Sequence, residues 1–93
     1  MLSQIPIDLK NAKKGEVDKE ILRLGIIAEL DAINLYEQLS TMTENKNIQI
    51  ILQDIAKEEK THVGEFQALL LRLDEEQVRE LAGGKKEVEE KTK

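Results

Sequence analysis

Strides of four and three residues along positions 45–73 pick out Ile48, Leu52, Ile55, Glu59, His62, Phe66, Leu69 and Leu73. Six of these eight are large and apolar, which predicts an amphipathic helix with a heptad-type seam. An earlier segment repeats the pattern. Leu22, Ile26, Glu29, Ile33 and Tyr36 form one stripe; Ile21, Leu24, Ala28, Leu35 and Leu39 form a second, about 100° further round. The pattern predicts helices over Val17–Thr41 and Asn45–Leu73, folded into an antiparallel hairpin at the polar turn "TMTENK". Glu16, Asp18 and Glu20 place acid at the first helix's start, where the helix dipole favours it. Gly25 weakens that helix by roughly 1 kcal/mol but permits a close approach of its neighbour. Asp74 with Gln77 reads as a capping box that opens a short third helix, "EEQVRELA". Gly83 and Gly84 are expected to end it.

The fold class expected is all-α: a two-helix antiparallel hairpin plus a short C-terminal helix. The expected layout is an N-terminal arm over 1–15 with the only proline, Pro6; the helical hairpin and third helix over 16–82; and a flexible charged tail or linker over 83–93. Two long helices cannot cover both apolar stripes of the first one. Dimerisation into a four-helix bundle is the physical expectation.

Composition narrows the chemistry. At 93 residues the chain is one small domain that needs a staple or a partner. It has no cysteine, so neither a disulfide nor a thiolate metal site supplies that staple. The lack of cysteine is compatible with the cytosol. A net charge of −5 argues against a nucleic-acid or anionic-membrane surface. No apolar run has the length of a membrane span, and the N-terminus lacks the apolar core of a signal peptide.

The informative positions are those where the seams turn polar. Glu59 and His62 interrupt the second helix, and Glu29 interrupts the first. Glu58 and Glu65 fall roughly 70–90° off the seam's centre and read as rim charges. Folding the hairpin at Glu44 leaves Glu29 fifteen residues before the turn and Glu59 fifteen after it. Both then stand about 22 Å from the turn, at one height on facing helices. Two buried carboxylates repel each other, and no seam Lys or Arg is in reach. A divalent cation resolves this. Oxygen and imidazole ligands suit iron, manganese or zinc, and a carboxylate-rich set favours iron or manganese. A carboxylate-bridged di-iron bundle takes a Glu from each of two helices and a Glu-x-x-His from each of two others. One chain supplies half of that set. Two chains about a twofold axis complete it, and four carboxylates balance two divalent ions.

The runs "IIAELDAINLYEQL" and "IAKEEKTHVGEFQALL", with this ligand spacing and hairpin length, resemble the encapsulated ferritins. These are ferritin-like cargo proteins of encapsulin nanocompartments, and the resemblance covers residues 20–84. It implies a ferroxidase that oxidises Fe(II) with O2 at a di-iron centre between subunits. It also implies a homo-oligomer built as a ring of dimers, such as a decamer. The partner implied is an encapsulin shell protein, with iron storage inside the shell and a cytoplasmic location. Carried over, Glu29, Glu59 and His62 would ligate iron and Tyr36 would stand close by. Asp31 falls where relatives place an acid for iron access or a secondary site. Ala28 replaces an acid, and Leu35 a tryptophan, of some relatives. The competing functions are a metal-stapled structural module without turnover, a rubrerythrin-like peroxidase with a separate electron donor, and a metal-free helical adaptor.

Overall fold

The hairpin closes through side chains that replace missing backbone partners. Thr43, Glu44 and Asn45 connect α1 (Val17–Met42) to α2 (Lys46–Leu73) in a computed structural model that describes residues 16–93. The expected arm over 1–15 lies outside the described residues. Asn45 caps α2, its Oδ1 accepting from the N–H groups of Asn47 at 3.0 Å and Ile48 at 3.2 Å. The Thr43 hydroxyl oxygen accepts from Asn45 N–H at 3.2 Å, and Gln49 Nε2 donates to the Thr43 carbonyl at 2.6 Å. These bonds satisfy donors that a helix start leaves open. At the end of α1, Ser40 and Thr41 donate their hydroxyls to the carbonyls of Glu37 and Gln38, each at 2.7 Å.

The α1–α2 contact buries Ile33, Ala56 and Leu70, with Ser40 as the buried polar residue. Ala56, Val63 and Leu70 recur every seven residues, so the covered face of α2 is centred on that line. It lies about 20–60° round from Glu59 on the side away from His62. The strides of four and three fall between two faces. One is covered by α1. The other includes Ile48, Leu69 and Leu73, each nearly half exposed. Ile21 of α1 meets Leu69 and Leu73 along an open apolar groove on this uncovered side.

Gly25 does let the helices approach. A Cβ there would stand 3.1 Å from three carbons of the Phe66 ring. Phe66 thus packs flat on the α1 backbone, one turn beyond His62.

α3 (Glu75–Lys91) starts at a joint made by Asp74. One carboxylate oxygen accepts from Gln77 N–H at 3.0 Å, and the other meets Arg23 of α1 at 3.0 Å. The cap fixes the helix start, and the ion pair ties it to the hairpin. The groove between α3 and the hairpin is lined by Ile26, Ile27, Leu70 and Leu81, opposite the uncovered face. The expected helix end at Gly83 and Gly84 is corrected. α3 runs through both glycines to Lys91, so most of the stretch expected as a flexible tail is helix. Neither glycine adopts the positive φ that a glycine helix stop uses. Each costs about 1 kcal/mol inside a helix. The Lys and Glu residues that follow are good helix formers, Lys85 pairs with Glu89 one turn on, and Thr92 donates its hydroxyl to Val88 O at 2.6 Å.

Two predictions follow from these joints. Gly25→Leu is expected to destabilise the metal-free protein by about 1–3 kcal/mol, because the added side chain would meet the Phe66 ring, already 3.1 Å from a Cβ at this position, and force it off its seat. Gly64→Ala, with nothing near its Cβ, is expected to stabilise it by about 0.5–1 kcal/mol. Urea denaturation at one fixed protein concentration reads both.

Asp74 makes the joint pH-dependent. The Gln77 N–H bond, with Arg23 adding to it, holds its carboxyl below the ordinary value of 3.8. A depressed folded value stabilises where the group is already ionised in the unfolded chain, and that contribution is lost as pH falls through the folded value. The stability difference between wild type and Asp74→Asn should therefore be constant above about pH 5 and shrink below about pH 4. Denaturation series at stepped pH check it; a difference that stays constant down to full protonation would count against this joint.

Candidate metal centre

Three side chains meet at mid-height in the hairpin. Glu29 comes from α1; Glu59 and His62 come from α2, where a separation of three residues stacks them on adjoining turns. One ligand atom from each lies within 4.8 Å of the others. His62 Nδ1 stands 3.4 Å from Glu59 Oε2 and 3.5 Å from Glu29 Oε2. The side chains of both glutamates are 19% exposed, and that of His62 is 44% exposed. The glutamates are thus held in the hairpin, while the imidazole stands at its edge.

The residues fit a cation. Glu29 Oε2 is buried without a hydrogen-bond partner, and its 3.5 Å separation from the imidazole is charge range rather than a made bond. An unsatisfied buried carboxylate oxygen is costly. Bonds of about 2.1 Å to a shared ion place neighbouring ligand atoms about 3.0–3.4 Å apart, close to the separations seen here. The donor set, two oxygens and an imidazole without sulfur, suits a first-row divalent ion such as iron or manganese.

The remaining expected positions lie outside this cluster. Tyr36 is half-buried on α1, seven residues from Glu29 on the same stripe, or about 10 Å along the axis. Asp31 points about 160° away from Glu29 round α1, and its Oδ2 is buried without a partner. Glu20 Oε2 is likewise buried and unpartnered among the described residues, about 20° round from Asp31 on that outer half of α1. Glu58 and Glu65 are both exposed. Glu65 nevertheless lines the depression beside the cluster, together with Glu29, His62, Phe66 and Leu69. Its spacing of three from His62 was the signal for that position.

A helical hairpin that holds two carboxylates and an imidazole at one height belongs to the class of ferritin-like carboxylate proteins. The comparisons agree. The family model described as rubrerythrin matches residues 20–93. The crystal structure of the encapsulated ferritin domain from Pyrococcus furiosus superposes with a TM-score of 0.85 at 57% identity, over 99% of this chain and 96% of that one. The ferritin-like–encapsulin shell fusion protein of Pyrococcus furiosus is 67% identical over 73 residues, 78% of this chain and 21% of the relative. The encapsulin nanocompartment cargo protein EncC of Myxococcus xanthus is 48% identical over 56 residues, 60% of this chain and 43% of the relative. The chain belongs to the rubrerythrin family, in the ferritin-like superfamily, and is one of the encapsulated ferritins. It spans less than half the length of either curated relative. No helix among the described residues is long and apolar enough to cross a membrane.

The unpartnered carboxylate predicts a trade-off. Glu29→Leu should stabilise the metal-free protein by about 1–3 kcal/mol, since it removes a buried group without a hydrogen bond and a like charge beside Glu59. Thermal unfolding in the presence of a chelator measures this. A lower melting temperature for the variant would mean that Glu29 is already satisfied without metal.

Proposed function

We propose that this protein is a ferroxidase. It oxidises Fe(II) to Fe(III) with O2 at a di-iron centre shared by two copies of the chain, and the product is stored inside an encapsulin shell. The observation that carries this reading is the meeting of Glu29, Glu59 and His62 at an open edge of the hairpin. One chain provides one Glu and one Glu-x-x-His, half of a di-iron carboxylate set. His62 stands on the side where Ile21, Leu69 and Leu73 remain exposed, so the surface that calls for a partner also borders the half-site. A second copy about a twofold axis contributes the other half.

Iron is the substrate here. Two Fe(II) ions each give up one electron, and O2 takes two electrons and two protons and leaves as hydrogen peroxide. Four carboxylates neutralise two Fe(II) ions and favour the higher charge of Fe(III), which lowers the cost of oxidation. Phe66, Leu69 and the hairpin interior limit water around the carboxylates and strengthen their field. A hairpin of this size encloses no space for mineral, so storage needs a container. The Pyrococcus relative is by name fused to an encapsulin shell, and the Myxococcus relative is by name an encapsulin cargo. Both names support a shell partner and a place inside a nanocompartment, which we place in the cytoplasm as part of the same proposal.

Aerobic addition of Fe(II), followed by near-UV absorbance, tests the reading. Wild type should turn over many equivalents. Glu59→Ala and His62→Ala should slow oxidation by about 100-fold, the equivalent of ~2.7 kcal/mol in the barrier. Sedimentation under anaerobic conditions should show Fe(II) shifting the protein to larger assemblies. Stoichiometric binding with no oxidation beyond buffer would favour a metal-stapled structural module. Faster consumption of added peroxide than of O2 would favour a rubrerythrin-like peroxidase.

A further inference from the structure

His62 is the only histidine in the chain, and its two ring nitrogens have different surroundings. Nδ1 faces the carboxylates of Glu59 and Glu29. An imidazole that ligates through Nδ1 carries its proton on Nε2, and an acceptor for that N–H fixes the tautomer and the ring plane. With 44% of its side chain exposed, His62 receives no closed pocket from α1 for its outer edge.

Two carboxylates on α2 stand one turn from it: Glu58, four residues before, and Glu65, three after. Both are exposed, and both lie on the His62 side of the helix. The depression beside the cluster separates them, since its lining includes His62 and Glu65 but not Glu58. Helical side chains lean toward the helix N-terminus, so Glu65 can reach back toward the turn of His62. Phe66 and Leu69 supply the depression's apolar walls. A charge-assisted hydrogen bond is stronger beside such walls than in open water.

We propose that Glu65 is a positioning residue for the metal centre: its carboxylate accepts a hydrogen bond from His62 Nε2–H and holds Nδ1 toward the ion. This rests on the reading of Glu29, Glu59 and His62 as metal ligands. The bond restrains an imidazole that the hairpin leaves half open, and it raises the basicity of Nδ1.

Calorimetric titration of the full chain with Co²⁺, an ion that binds without turnover, tests the proposal. Glu65→Ala should weaken Co²⁺ binding by about 10- to 100-fold. Glu65→Gln keeps an acceptor oxygen and should stay within about threefold of wild type, as should Glu58→Ala, which removes one exposed charge at the same distance in turns. In Zn²⁺-loaded protein with ¹⁵N-histidine, the single Nε2–H signal should exchange slowly in wild type and Glu65→Gln and rapidly in Glu65→Ala. Equal weakening by Glu65→Ala and Glu58→Ala, or a Gln variant as weak as Ala, would overturn the role of Glu65 alone. Co²⁺ affinity that does not respond to Glu59→Ala would overturn the ligand reading as well.

Discussion

The structure turns on the partial burial of two carboxylates at one height in a two-helix contact. Glu29 and Glu59 take up seam positions that apolar residues would fill at less cost, and they place like charges on facing helices of the hairpin. The imidazole edge of His62 offsets part of this, at 3.4 and 3.5 Å, without giving Glu29 Oε2 a hydrogen bond. The surrounding features hold the helices to this unfavourable geometry. Gly25 lets Phe66 seat against the α1 backbone one turn away. Asn45 and Thr43 set the length of the turn and so match the two heights. Arg23 and Asp74 fasten the open end of the hairpin to α3.

The same constraint shapes the surface. A helix pair that spends its central seam on polar groups has little apolar core of its own. Among the described residues, Ile33, Ala56 and Leu70 are the buried hydrophobic side chains. Much of the remaining apolar area faces outward, on both sides of the hairpin. Ile21, Leu69 and Leu73 lie on the His62 side, and Ile27 and Leu81 lie along the α3 groove. Contiguous exposed apolar residues of this kind suit a contact surface. A sparse core and an open-edged cluster of possible metal ligands lie side by side.

Much of this was legible in the sequence, for physical reasons that differ by residue. The helices and the matched heights of Glu29 and Glu59 follow from the 1.5 Å rise and a short turn, which tertiary contacts do not alter. The Asp74 cap follows from local hydrogen-bond chemistry. The face of α2 that meets α1 was less legible. Both faces are apolar, and periodicity cannot say which is covered by the same chain and which by another. The end of α3 was misread because glycine is ambiguous: it stops a helix only when its φ becomes positive, and otherwise weakens it by about 1 kcal/mol. The exposed position of Glu65 beside His62 needed the depression to be seen, since a charge three residues from a histidine is common on solvated helices.

On the proposed reading, a half-site on each chain would also make assembly and metal loading one equilibrium. If the ion binds only where two chains meet, its binding free energy is added to the dimer and to nothing else. Linkage is reciprocal, so whatever holds two chains together raises their affinity for iron by the same factor. An isolated chain would then keep Glu29 unpaired and bind weakly, and a chain concentrated beside other copies would bind tightly. Confinement with other copies would therefore switch on the iron site through concentration alone, with no change in fold. This is the physical sense in which a fragmentary core suits a protein that works in company. A larger monomeric core would be more stable, but it would cover the edge at which His62 stands open.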